Sequence, residues 1–377
     1  MRPGLYLHVP FCRSICPYCD FAVTTGRPMD REGFVESLVS EMRLWDLAGW
    51  GFDTVYVGGG TPSSLEPDQL GRILGATGAP GARVFLEANP EDVDSDRARR
   101  WRDLGAATLS LGVQSFDPAE LRFLGRRHRA PDAIRSVETA RDAGFGTVSL
   151  DLIYGLPGET QDAWRKNLEA ALALSPDHLS CYQLTVEPGT FLGRKRARGE
   201  LAELPEEERA DLFLFTHRYL ADAGYPAYEV SNFAASPEHR SSHNQKYWRH
   251  VPYLGLGPSA HSFDGARRWW NHRALGDYEA AVGRSERPIA GEETLTAMEL
   301  ALEAVLLGLR TADGIDLALF RERHGFDLVE ANRDLVARET SAGRMRVEGG
   351  RLWLALEGLA IADGLAATFE LSPVEAR

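Results

Sequence analysis

Six short apolar runs, most of them followed by a helix-like segment, constrain this chain more than any other feature. The runs fall at residues 4–9, 53–58, 83–89, 107–113, 147–155 and 178–184, and each is rich in β-branched or aromatic residues. Helix-period patterns occupy 32–48, 67–77, 95–105, 131–144 and 160–174. Asp or Ser precedes several of these as an N-cap, and Gly follows as a stop. Such repeats predict a parallel sheet with right-handed crossovers. Near-continuous apolar strands predict a sheet buried on both faces. The pattern leaves open a closed barrel, a partial barrel and an open sheet.

The alternation breaks at residues 193–212, where dense charge predicts a solvated helix face and linker. A polar stretch rich in Trp and Tyr follows at 225–272, then a helical pattern at 294–310 and a hairpin pattern at 345–355. The chain thus divides into a core domain at 1–235, a connecting segment at 236–290 and a smaller C-terminal domain at 291–377. The formal net charge of −13 argues against a nucleic-acid partner and against an anionic membrane surface. No apolar run reaches the roughly 18 residues of a transmembrane segment. No apolar stretch of secretory length precedes the polar residues around Cys12, so the expected location is the cytoplasm.

Three of the four cysteines lie between positions 12 and 19, as Cys12-Arg-Ser-Ile-Cys16-Pro-Tyr-Cys19. A disulfide framework would scatter them, so the cluster reads as metal ligands. It follows the first strand directly, at the edge where α/β folds place their sites. Three thiolates on one loop suit three irons of a cuboidal cluster, with the fourth iron open. Structural zinc is the rival reading, but it takes four ligands. The remaining cysteine, Cys181, lies on a distant strand and reads as a small buried hydrophobe, while His8 lies on the first strand itself.

Other polar features gather at strand ends. Gly58, Gly59, Gly60, Thr61 and Pro62 follow the second strand. Glycines there let the backbone approach a ligand, or simply make a tight turn. The tract is neither a Walker A loop nor a dinucleotide fingerprint. Glu87, Gln114 and Asp151 put polar side chains on or just past otherwise apolar strands. They form either a hydrogen-bonded layer inside the sheet or one wall of a site.

The cysteine spacing, with Tyr18 before the last thiol, resembles the signature of the radical SAM superfamily. The resemblance implies a [4Fe–4S] cluster on Cys12, Cys16 and Cys19, whose open iron is chelated by S-adenosylmethionine. It also implies reductive cleavage of the sulfonium to methionine and a 5′-deoxyadenosyl radical. Gly59, Gly60 and Thr61 resemble a motif whose backbone contacts the methionine amino group. Glu87, Gln114 and Asp151 resemble residues that contact ribose, carboxylate or adenine. Tyr6 and Arg126 match further ligand-contacting positions, with Arg127 adjacent to the second.

The resemblance extends along the chain. LYLHVPFC, GGGTPS, LGVQSF, DLIYGLPG, YQLTVEPGT, YEVSNFA, HNQKYW and GLGPSAHS occur in that order. Together they resemble the oxygen-independent coproporphyrinogen oxidase group, and within it the haem chaperone branch. Phe21 stands where the oxidases carry a fourth cysteine, and Cys12 is reached after a shorter arm than theirs. The implied fold is α/β, a partial (β/α)6 TIM-like barrel with a smaller, mostly helical C-terminal domain. The implied partners are haem, an apo-haemoprotein acceptor and a reductant for the cluster. His243, in HNQKYW, matches a motif linked to haem, with Tyr247 and Trp248 as stacking or core residues. His261, in GPSAHS, is a second imidazole candidate. Coproporphyrinogen III oxidase is the alternative activity, and a cluster-carrying structural protein without radical chemistry is a third possibility.

Overall fold

A computed structural model describes residues 1–371. Six strands come first: β1 Gly4–Val9, β2 Thr54–Gly59, β3 Arg83–Ala88, β4 Ala106–Gln114, β5 Thr147–Tyr154 and β6 His178–Gln183. Each pairs in parallel with the next, as the alternation requires. The first and last of them do not pair with each other. On the far side of β1 lie β9 (Tyr253–Leu256), β10 (His261–Phe263), β11 (Arg267–Asn271) and β12 (Ile289–Thr294). Beyond β6 lie β8 (Asn232–Ala234) and β7 (Ala227–Glu229). The result is a partial barrel inside a twelve-stranded open sheet.

The pleat separates two environments. Leu5, Leu7, Val55, Val57, Leu109, Leu111, Leu150 and Leu179 face the surrounding helices and join the main apolar core. The opposite face differs from the apolar surface expected of a sheet buried on both sides. Tyr6 lies opposite Tyr56, and Tyr56 opposite Phe85. Glu87 lies opposite Ser110, and Gly112 opposite Asp151, which in turn lies opposite Ser180. Polar side chains therefore stand in two neighbouring rows of the same face, which looks into the barrel.

The helix read over 32–48 spans Pro28–Arg43, and a separate turn at Leu47–Trp50 is capped by Asp46 and stopped by left-handed Gly51. The charged 193–212 stretch is a linker only in part. Helices Phe191–Ala197 and Glu206–Asp222 take up both its ends, and Leu212 and Leu220 of the second pack into the main core. Residues 236–290 likewise do more than connect, since β9, β10, β11 and the start of β12 extend the main sheet. The C-terminal residues build a second core around Val305, Leu309, Phe320 and Leu352. Its small sheet pairs β13 (Ile315–Asp316), β14 (Met345–Glu348) and β15 (Arg351–Leu354). The expected hairpin turns on Gly349 and Gly350, both at positive φ. Among the described residues no helix is long and apolar enough to cross a membrane.

One buried carboxyl joins the first helix to the added strands. Glu41 accepts hydrogen bonds from Asn271 Nδ2 at 2.7 Å, Tyr278 Oη at 2.7 Å and the Gly257 amide at 2.8 Å. Burial pushes it up to about 7, although its donors favour the charged form. A carboxyl raised from 4.5 stabilises the fold while protonated, and that contribution fades as pH climbs through 7. The loss amounts to about 3 kcal/mol. Glu41→Gln is expected to remove this part of the fall in urea midpoint between about pH 5 and about pH 8. Parallel profiles for the two proteins would refute the assignment.

Candidate functional site

The loop after β1 leaves and rejoins the barrel through a short zipper. The Cys12 amide donates to the Thr24 carbonyl at 2.9 Å, and the Thr24 amide to the Pro10 carbonyl at 2.7 Å. Phe11 anchors this base edge-on against Phe34, with ring centres 5.4 Å apart. Farther out, Arg13 pairs with Asp92 at 2.8 Å. The Cys19 amide closes a turn onto the Cys16 carbonyl at 3.1 Å. Gly125 has φ 66°, and a Cβ there would stand 2.6 Å from Pro17 Cδ. Only glycine leaves room for the loop to lie down at that point.

The three thiols face a cavity of about 370 Å³ at the C-terminal ends of β1 to β6. Among the described residues no three His, Cys, Asp or Glu side chains surround one point suited to a single ion. A cubane needs no such point, because each iron takes its own thiolate. Burial pushes the Cys12 thiol up and the Cys19 thiol up to about 11, and neighbouring thiols act in the same direction. A bound iron centre reverses this by holding the sulfur as thiolate. Thr61 Oγ1 donates to Cys12 Sγ at 3.4 Å, and Arg126 Nη1 to Cys16 Sγ at 3.6 Å. A Cβ on Gly60 would meet the Phe11 carbonyl oxygen at 2.9 Å and Cys12 Sγ at 3.0 Å. The glycine tract therefore presses backbone against the thiol loop. This arrangement fits a [4Fe–4S] cluster.

Opposite the thiols, the strand ends are polar and braced. Glu87 accepts from Tyr56 Oη at 2.8 Å and from the Gly59 amide at 3.3 Å. Asp151 accepts from Ser110 Oγ at 3.1 Å. Burial pushes Glu87 up to about 7 and Asp151 up to about 6; Tyr56 and Gly59 oppose the rise at Glu87 while the Asp151 charge adds to it, and Ser180, Ser110 and Arg126 oppose it at Asp151. Gln114 follows a register shift in β4 and sits at φ 67°, an uncommon conformation for a residue other than glycine. The structure also separates Arg126 from Arg127. Arg126 is half-buried and donates to Asn89 Oδ1 and to the Gly112 carbonyl at 2.7 Å, whereas Arg127 is exposed.

Cys12, Cys16, Tyr18, Cys19, Gly59, Gly60, Thr61, Glu87, Gln114, Arg126 and Asp151 all line this one cavity. Tyr6 does not. It lies behind Gly59, and its hydroxyl bonds to His8 Nδ1 at 3.0 Å. His243 is also elsewhere, and the geometry gives it a structural part rather than an open haem-binding one. It is 0% exposed beside Gly4 and Thr54, the first residues of β1 and β2. Both ring nitrogens are engaged, one with Thr54 Oγ1 at 2.8 Å and the other with Tyr247 Oη at 2.9 Å. Burial pulls its pKa down to about 3. Neighbouring Lys246 is buried and pairs with Asp53 at 2.5 Å. The HNQKYW segment thus plugs the N-terminal end of the barrel, opposite the thiols.

Sequence reasoning missed Tyr56, Asn89 and Ser110. Asn89 binds Arg126 and, through Nδ2, donates to Thr61 Oγ1 at 3.3 Å. Asn89 lies two positions past Glu87, while Tyr56 and Ser110 bond across strands to Glu87 and Asp151. For Asn89 the period of two along a strand was the available signal.

Residues 6–171 match the family described as the radical SAM superfamily, and residues 295–361 match the HemN C-terminal domain. The fold and the three-thiol loop accordingly define a radical SAM protein. The chain is 37% identical to the heme chaperone HemW of Synechocystis sp., over 84% of this chain and 80% of that one. It is 36% identical to the heme chaperone HemW of Mycobacterium tuberculosis, over 97% and 94%. A Mus musculus relative, radical S-adenosyl methionine domain-containing protein 1, mitochondrial, is 34% identical over 97% and 87%. The coproporphyrinogen III oxidase HemN from Escherichia coli superposes with a TM-score of 0.83 over 97% and 89%, at 22% identity, a likeness of fold alone. The chain belongs to the HemW family.

S-adenosylmethionine carries one net positive charge, and the cavity offers it two carboxyls that ionise near neutrality. Its affinity for the cluster-loaded chain is expected to rise several-fold between about pH 5.5 and about pH 8, as Asp151 and Glu87 lose their protons. Glu87→Gln should flatten much of that slope in a calorimetric titration. An unchanged slope would remove Glu87 from the ligand's surroundings.

Proposed function

We propose that this protein is a haem chaperone, which binds haem and delivers it to an apo-haemoprotein with the help of a [4Fe–4S] cluster and S-adenosylmethionine. The observation that carries this reading is identity of 36% to 37% over most of the chain with proteins named heme chaperone HemW. Phe21 supports it as well, because no fourth thiol follows Cys19 in the loop.

In this reading Cys12, Cys16 and Cys19 hold three irons. When bound, the cluster supplies an electron and one iron with a free position, suited to the amino and carboxylate groups of S-adenosylmethionine. The chain's own residues do the holding. Thr61 and Arg126 donate to two of the thiolates, which disperses their charge. Glu87 and Asp151 face the cationic ligand, and Gln114 and Tyr18 complete the polar wall. Ile153 and Tyr182 follow Asp151 and Ser180 along the same strands and add apolar surface to the cavity beside the carboxyls. His243 serves as a structural imidazole under the barrel. The reading calls for a reductant for the cluster and an acceptor for the haem.

Anaerobic reconstitution is expected to load about four irons per chain, and to fail in the Cys12→Ala, Cys16→Ala, Cys19→Ala triple variant. Haem added to the reconstituted protein should give a saturable Soret difference band, and the loaded protein should pass its haem to an apo-haemoprotein. A chain that shows no Soret band, or that converts coproporphyrinogen to protoporphyrinogen, would overturn the reading.

A further inference from the structure

The thiol loop has an outer side as well as the inner side that faces the cavity. Three segments meet there, around Cys16 and Pro17. The Leu192 amide, in helix Phe191–Ala197, donates to the Pro17 carbonyl at 2.9 Å. Gly125, just past helix Pro118–Phe123, lies against the Pro17 ring. Leu124 and Leu192 share a small apolar core on which Tyr18 rests. Loop, turn and helix therefore form one continuous surface beside the thiols.

The charge of this surface is opposite to that of the whole chain. Residues 12–20, 122–129 and 187–200 hold nine Arg or Lys against three Asp or Glu, in a chain of net charge −13. Some of these cations are paired: Arg13 with Asp92, Arg129 with Asp132, Arg196 with Glu203 and Arg198 with Glu200. Arg122, Arg127, Arg194 and Lys195 make no ion pair among the described residues. Arg194 gives one nitrogen to the Gly189 carbonyl, and Lys195 stands over the Phe191 ring at 5.3 Å. Unpaired like charges in one place repel each other, so they contribute nothing to the fold. They are suited instead to an anionic partner.

Two large apolar side chains stand among them. Ile15, between Cys12 and Cys16, is 53% exposed, and Phe191 is 49% exposed. Both lie within two residues of the Leu192–Pro17 hydrogen bond. An apolar centre with a charged rim is the anatomy of a protein–protein contact, and the rim sets encounter rate more than strength. The inner side of the loop is taken up by the ligand cavity, and the Cys16 thiol, bonded to Arg126, is half-buried between the two sides.

Resting on the cluster-dependent reading above, we propose that this outer face docks a small acidic protein that carries single electrons, the reductant that the cluster requires. Ile15 and Phe191 form the centre of the contact, and Arg122, Arg127, Arg194 and Lys195 surround it. One electron passes from the reduced prosthetic group of the carrier to the cluster across the loop at Cys16. The carrier is oxidised by one electron, the cluster is reduced by one, and no bond is made or broken.

The test follows reduction of the reconstituted full chain by stopped flow, with photoreduced flavodoxin, an acidic flavoprotein, as the donor and dithionite as a small donor that needs no docking. With flavodoxin the wild-type rate should fall about tenfold from low to high salt. The double variant Arg194→Glu, Lys195→Glu is expected to react about tenfold more slowly with flavodoxin at low salt, while its dithionite rate and iron content stay at wild-type values. Arg323→Glu with Arg346→Glu makes the same change in net charge on the C-terminal domain and should leave the flavodoxin rate near wild type. A salt-independent rate, equal slowing by the two double variants, or no reduction of wild type by flavodoxin where dithionite succeeds would overturn the docking face while the cluster-dependent reading stands. If dithionite cannot reduce the wild-type cluster, that reading fails, and the docking face with it.

Discussion

Everything in this molecule depends on the pleat of six parallel strands. Successive side chains point to opposite faces, so one face can be apolar and the other chemical. Outward, Leu, Val and Ile side chains meet helices in a close-packed core. Inward, Glu87 and Ser110 form one row and Asp151 and Ser180 the next. A slip of one residue in any strand would exchange the two sets. Burial of the inward groups is costly, and neighbouring hydroxyls offset the cost: Tyr56 for Glu87, Ser110 for Asp151.

The thiol loop builds on that frame. Its ends are zipped at Phe11 and Thr24, its middle is tied to Asp92, and its floor is the backbone of Gly60. Three soft ligands are thereby presented from one side of a cavity, while carboxyls look back from the other. The two walls differ in hardness and charge. A metal–sulfur centre and an organic cation can thus lie side by side without competing for the same donors.

Much of this was legible in the sequence. All six strands fall within one residue of both expected limits, because period, composition and flanking turns agree there. The thiols, Gly59, Glu87, Gln114 and Asp151 were found by their place at strand ends. Other features depend on contacts between distant residues and leave no local mark. His243 looked like an open ligand in a polar stretch, yet it closes the barrel floor against Gly4 and Thr54. Strands β9 to β12 looked like a connector because they are short, and their pairing is set by the free edge of β1. Leu212 ends a charged run whose polarity hid the buried face of the helix that continues to Leu220.

Glu87 borders both the thiol cavity and the recess behind Gly59 that Tyr6 lines, a placement with thermodynamic weight beyond either one. A molecule on one side that favours its carboxylate alters the field felt on the other. By reciprocity, the second occupant alters the first by the same factor. One shared side chain is thus enough to make the two compartments read each other's contents, with no moving part between them.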